Sequence, residues 1–267
     1  MPFTPSHAVV ALPFLGTPLV PAAIAVGAMA PDLPLFVRGL PLHYGLTHDF
    51  VWLPLTIALA LVLLLVWRCI LRPAVRELSP RWLTSRLPVE WDAAAAAALR
   101  ETLAITGTPA RTSWRGMLLL ASLALGALSH IAWDLFTHEG RWGSEALPIL
   151  DEQWGALTGY KWLQYGSSVL GLTILGVWMI LRLRSRVATA SARRILPNAA
   201  RWAWWLSLPF ILVAAWVIGM AAFGPFTQEW TGAHLAYRML PPACALWGAM
   251  TLVLAVTVQL VRLRKAA

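Results

Sequence analysis

A chain of 267 residues that is 59% hydrophobic and 12% charged, with a mean hydropathy of +0.66, lies outside the range of soluble domains, which run near a quarter charged. The same figures exclude disordered and collagenous chains, and two cysteines exclude a disulfide scaffold. The net charge of +9 comes from 19 arginines and two lysines that flank apolar runs instead of forming one basic module, so no nucleic-acid partner is expected.

The remaining fold class is all-α: a polytopic membrane helix bundle with five or six spanning segments, each needing about 20 apolar residues, and one cytoplasmic helical loop. In chain order, residues 8–29 are apolar but broken by Pro13, Gly16, Pro18 and Pro21. They read either as one kinked span or as two short helices in a re-entrant hairpin, and the proline and glycine placement favours the hairpin. No cleavable signal peptide is expected, because no basic stretch precedes an uninterrupted apolar core. Residues 51–70 form the first clear span. Residues 71–116 are polar, with a helix expected around the alanine run 93–98. Spans follow at 117–137, 162–181, 202–223 and 240–261, the last opening on Pro241 and Pro242 as a first helical turn tolerates. The segment 1–145, including the loop 71–116, is expected to form a metal-site membrane domain, and 146–267 a set of C-terminal membrane helices. Cys69 and Cys244 fall in apolar stretches and behave as small hydrophobes.

Seventeen of the 21 basic residues lie in 68–115, 182–201 and the tail after Val261. The positive-inside rule makes that side cytoplasmic and places the C-terminus inside, in a bacterial inner membrane. Tryptophans at 52, 67, 114, 162, 202, 204 and 205 sit near span ends as interfacial anchors.

Five of the six histidines fall in short motifs that also carry aspartates: Ser6-His7, Ala30-Pro31-Asp32, His43-Tyr44-Gly45-Leu46-Thr47-His48-Asp49, and Ser129-His130 to Asp134 with His138 beyond. Ionisable groups at membrane depth are costly, and their default reading is functional. His130, Asp134 and His138 recur every four residues and share a helix face with a drift of about 40° per step. An imidazole and a carboxylate at that spacing chelate a divalent ion, or the carboxylate orients the imidazole. The charge-derived topology brings Asp32, His43, His48, His130, Asp134 and His138 to the outer face, and a hairpin over 8–29 returns His7 to the same side. The competing reading is a polar clasp between helices. Asp32 could also cap a helix. The acidic loop residues Glu139, Glu145, Asp151 and Glu152 read as solvated, and isolated His234 as exposed.

These motifs, in this order over about the first 145 residues, resemble an uncharacterised bacterial integral-membrane family that is similar to inner-membrane metal-dependent hydrolases and, more distantly, to zinc-dependent phospholipase C enzymes. The resemblance implies His7, Asp32, His43, His48, His130 and Asp134 as ligands of one or more zinc ions. The sequence departs from the pattern at Tyr44, where a basic residue is usual, and at Asp49, where a small serine is usual.

The expectation is therefore a membrane-embedded hydrolase with a divalent metal cofactor, zinc first, acting on a lipid or lipid-linked phosphoester or ester at the extracytoplasmic face. Asp32 is expected to bridge metals or take the proton of water. His7, Asp32, His43, His48, His130, Asp134 and His138 are the metal-ligand candidates, with Thr47 orienting one of them. Membrane lipid is the expected partner. A metal-ion or proton transporter and a non-catalytic assembly protein are the alternatives.

Overall fold

The computed structural model describes residues 3–38, 41–103, 105, 109–189 and 194–266. Met1 and Pro2 of the opening motif, residues 104 and 106–108 of the predicted loop, and Arg193 lie outside the described residues. The chain is an all-α, multi-pass membrane protein. Its principal helices are α1 (Pro21–Gly27), α2 (Tyr44–Thr47), α3 (Leu53–Val66), α4 (Arg72–Leu78), α5 (Ala95–Thr102), α6 (Pro109–Thr137), α7 (Gly159–Arg184), α8 (Asn198–Phe223) and α9 (Gly232–Ala266). Among the described residues, five helical segments are long and apolar enough to cross a membrane: Phe50–Leu78, Arg111–Thr137, Gly159–Arg184, Asn198–Phe223 and Gly232–Arg264.

The chain divides into two units, the first made of Met1–Leu33, Pro41–Leu65 and Arg100–Arg186. Its opening residues form a hairpin. A 3-10 helix over Thr4–Phe14 turns at Gly16, whose φ of +86° suits a residue without a side chain, and returns as α1. Eleven residues at about 2.0 Å each and seven at about 1.5 Å both fall short of about 30 Å of hydrocarbon, so neither arm crosses alone. Both arms are fastened. Val20 N donates to Ser122 Oγ of α6 at 2.9 Å, and Phe3 N donates to Ser168 Oγ of α7 at 3.0 Å. At Gly126 an added Cβ would stand 2.1 Å from the Ile24 carbonyl oxygen, and at Gly27 it would stand 2.4 Å from that of Leu123. The two backbones touch because neither glycine interposes a side chain.

Unit 2 comprises Pro34–Leu40, Val66–Leu99 and Val187–Ala267. Here the helix that begins the first span does not stop near residue 70 as its composition suggests. A π-turn at Trp67–Leu71 leads into α4, and Arg76 and Glu77 are buried rather than looped out. Pro73 has no N–H to give the Cys69 carbonyl. Gln259 of α9 supplies the missing donor, with Nε2 at 2.7 Å from Cys69 O and 3.2 Å from Ile70 O.

A second proline repair corrects the expected start of the last span. The helix begins at Gly232, so Pro241 and Pro242 lie inside it. Their missing N–H groups free the carbonyls four residues back, Tyr237 and Arg238. Arg38 donates from Nη2 to Tyr237 O at 2.7 Å and from Nη1 to Arg238 O at 3.1 Å, so one guanidinium closes both gaps. Replacing it with methionine keeps much of the apolar stem and removes both donors. Arg38→Met is expected to cost about 1.5–3 kcal/mol, the worth of hydrogen bonds from a charged group, read as a lower midpoint in detergent unfolding.

Candidate metal centre

Four side chains of unit 1 converge. Asp32 ends the 3-10 turn Ala30–Asp32, His48 closes α2, and His130 and Asp134 sit one turn apart on α6. All four are buried, with residue exposures of 2%, 6%, 0% and 5% in that order. One ligand atom from each lies within 4.8 Å of all the others. His48 Nε2 and His130 Nε2 are 3.2 Å apart. Asp134 Oδ2 is 3.4 Å from the first and 3.5 Å from the second, and Asp32 Oδ1 is 3.7 and 3.6 Å from them. Tetrahedral ligands held about 2.0–2.1 Å from an ion stand about 3.3 Å from one another, close to these five separations.

The backbone determines what the imidazoles present. His130 Nδ1 is 2.7 Å from Ala28 O, at the end of the closely packed α1, and His48 Nδ1 is 3.0 Å from Tyr44 O. A carbonyl only accepts, so each Nδ1 carries a proton, and a ring in the neutral form turns a lone pair toward the centre through Nε2. Two lone pairs and two carboxylate oxygens then face one point. Four such acceptors at hydrogen-bonding distance repel, and a cation is the partner that reverses the sign; with Nε2 protonated instead, the same groups pair as a clasp between helices.

The surrounding groups hold the carboxylates. Thr4 Oγ1 donates to Asp32 Oδ2 at 2.6 Å, and Tyr44 Oη donates to Asp134 Oδ2 at 3.1 Å. Burial first, and then the Asp134 carboxylate, push the Tyr44 phenol above its usual range, so it remains a donor. Its ring also stacks on His48 at 3.7 Å between centroids. Thr47, fully buried, donates to Pro31 O at 2.6 Å and tethers α2 to the turn that carries Asp32.

The remaining candidates take other positions. His7 stacks on His130 with centroids 4.0 Å apart, and its buried Nε2 has no hydrogen-bond partner among the described residues. Burial, with His130 next, lowers its pKa to about 3, which leaves a neutral ring with a free lone pair. His138 Nδ1 reaches Asp134 Oδ2 at 3.6 Å, while its Nε2 lies 3.4 Å from the Gln164 amide nitrogen. Burial lowers its pKa against the pull of Asp134. His43 precedes α2 as its N-cap residue and is exposed, so it does not join the cluster. The carboxylates of Glu139, Glu145, Asp151 and Glu152 are exposed as expected for a solvated loop.

Thr4 and Tyr44 were not foreseen as supports. The only trace of either lay in the motifs themselves, Thr4 three residues before His7 and Tyr44 beside His43. Removing the hydroxyl that steadies Asp32 tests this layer: Thr4→Val is expected to weaken divalent-metal affinity about 10–100-fold, the usual cost of losing a partner behind a ligand, measured by competition with a chelating dye.

The group Asp32, His48, His130 and Asp134 could therefore hold a metal ion. A family model described as Domain of unknown function (DUF4184) matches residues 1–261. No curated protein and no solved structure matches the chain.

Proposed function

We propose for this chain, which belongs to the DUF4184 family, the role of a membrane-embedded metal-dependent hydrolase that cleaves a phosphoester or ester of a lipid or lipid-linked substrate. The observation that carries the reading is the convergence of two imidazole nitrogens and two carboxylate oxygens, 3.2–3.7 Å apart over five pairs, beside a cleft of about 340 Å³. That cleft has His7, Ser6 and Ser129 among its polar walls and Val9, Leu170 and Ile174 among its apolar ones. An amphiphile suits such a lining, with its reactive group at the polar wall and its chain along the other.

His48, His130, Asp32 and Asp134 hold the ion in this proposal. A bound divalent cation supplies Lewis acidity and brings the pKa of water toward about 7. Imidazole and carboxylate together suit zinc, iron or manganese, and zinc is the first choice. Asp32 Oδ2 is already occupied by the Thr4 hydroxyl. His7, neutral and lining the cleft, is placed to orient attacking water as a hydrogen-bond acceptor, and Asp134 Oδ1, also buried and unpartnered among the described residues, is the candidate to take its proton. The charge asymmetry of the loops supports a site toward the extracytoplasmic leaflet of a bacterial inner membrane.

A second reading has its own support. Four protein donors fill a tetrahedral shell, the arrangement of structural sites, whereas catalytic zinc keeps a position open. One experiment separates the two: purified protein in mild detergent is analysed for metal and assayed on phospholipid vesicles, beside His7→Ala. The hydrolase reading expects stoichiometric metal and turnover that falls at least 100-fold in His7→Ala with metal retained. Stoichiometric metal without turnover on phospholipid or polyprenyl phosphoester leaves the ion a structural role and overturns the hydrolase.

A further inference from the structure

Unit 2 contains a second concentration of buried charge, unrelated to the metal centre, in which cations outnumber acids. Glu77, fully buried, accepts from the backbone N–H groups of Ile195 and Leu196 at 3.0 and 2.9 Å and from Arg262 Nη2 at 3.4 Å. Asp92 accepts from Arg76 Nη1 at 2.6 Å and from Arg262 Nη1 at 3.4 Å. The two acids are thus committed to Arg76, Arg262 and backbone.

Arg194 and Arg201 direct their hydrogen bonds to neutral partners. Arg194 Nη2 donates to Ser79 O at 2.6 Å and Thr84 Oγ1 at 3.1 Å, and Arg201 donates from both Nη atoms to Leu196 O at 2.7 and 2.6 Å. Arg201 Nη2 also lies 4.0 Å from Glu77 Oε1, at the outer limit of an ion pair. Each has a buried Nε without a partner among the described residues, and Arg201 is only 8% exposed. Removing a guanidinium from water without a hydrogen-bonded anion is unfavourable.

Both arginines line one pocket of about 390 Å³, together with Ser79, Asn198, Trp202 and Trp205. Asn198 opens α8, a helix of 26 residues with no side-chain cap, so its first N–H groups and the positive end of its dipole stand at the same pocket. Trp202 and Trp205 are 66% and 45% exposed, the placement of aromatic residues at a headgroup boundary.

We infer that this pocket binds a phosphate group, held by Arg194 and the N-terminus of α8, with Arg201 adding positive charge at the pocket wall. The group is either the headgroup phosphate of an anionic lipid or a free phosphate, and the flanking exposed tryptophans favour the lipid. Bidentate geometry and weak hydration make arginine the suited residue for that ligand.

The test uses the full chain in mild detergent, titrated separately with phosphatidylglycerol, phosphatidylcholine and inorganic phosphate and read by native mass spectrometry and thermal stability. Wild type is expected to prefer phosphatidylglycerol to phosphatidylcholine at least tenfold, with binding that weakens as salt rises. Stabilisation by inorganic phosphate alone at millimolar concentration, with no preference among lipids, assigns the pocket to the free ion. Arg194→Gln should lose at least tenfold in affinity for whichever ligand binds. Asn198→Asp guards against mere misfolding, because a carboxylate at this helix start favours the helix and repels an anion. It should keep or raise the ligand-free unfolding midpoint while losing the same binding. Equal binding of both lipids without any response to phosphate, or unchanged binding in Arg194→Gln and Asn198→Asp, overturns the proposal.

Discussion

His130→Ala is expected to leave the purified protein with less than a tenth of the divalent metal that wild type carries, while the chain still inserts into the membrane. The imidazole it removes is fully buried and supplies one of two nitrogen donors. Elemental analysis after exhaustive dialysis reads the result, and metal content equal to wild type would remove His130 from the ligand set. Asp134→Asn is the sharper companion, since it keeps the side-chain shape and deletes the charge, and it should lose metal comparably. A chelator applied to wild type should lower the unfolding midpoint, because metal bound only by the folded state contributes RT ln(1 + [L]/Kd), about 4 kcal/mol at a thousandfold excess over Kd. His130→Ala, having little metal to lose, should scarcely respond.

Gly126→Val should disable the same centre without touching a ligand. The clash falls on backbone, at 2.1 Å from Ile24 O and 2.7 Å from Ala28 N, so no side-chain rotation relieves it. Helix α1 must retreat from α6, and the Ala28 carbonyl that orients His130 retreats with it. Overpacking of this kind costs about 1–3 kcal/mol. Metal affinity should fall at least tenfold as the His130 tautomer loses its anchor. Gly116→Val on the same helix, where an added Cβ meets nothing within 4 Å, serves as the control and should leave both quantities near wild type. Equal effects at the two positions would refute the argument from close backbone approach.

Much of this was legible from residue order. Runs of apolar residues locate the spans because a fixed hydrocarbon thickness demands a fixed length. Pro13, Gly16, Pro18 and Pro21 betray the hairpin because a continuous helix has no use for them. His130 and Asp134 declare a shared face by their spacing of four.

The same spacing overreaches at His138. Two steps of about 40° carry its ring about 80° around the helix from His130, and it settles against Gln164. His43 and His48 look equivalent within one motif, yet the single turn of α2 folds His48 back onto Tyr44 O while His43 precedes the turn and faces outward. A five-residue separation cannot distinguish them without knowing where that short helix starts. The proline repairs were out of reach for a different reason. Arg38 and Pro241 are some 200 positions apart, and local propensity says nothing about which distant donor will find a freed carbonyl.

The carbonyls of Ala28 and Tyr44 also bear on the charge balance of the candidate metal centre. They keep a proton on each Nδ1, so an ion can be held only through Nε2, and rings bound that way are neutral; the only formal charges among the four donors are then those of Asp32 and Asp134, and a doubly charged ion cancels them to zero. A monovalent ion would leave a net negative charge in the interior of the bundle and a trivalent one a net positive charge, each disfavoured where the dielectric constant is low. A donor set of two imidazoles and two carboxylates thus acts as a valence filter, selecting ions by charge before their size or ligand preference is consulted.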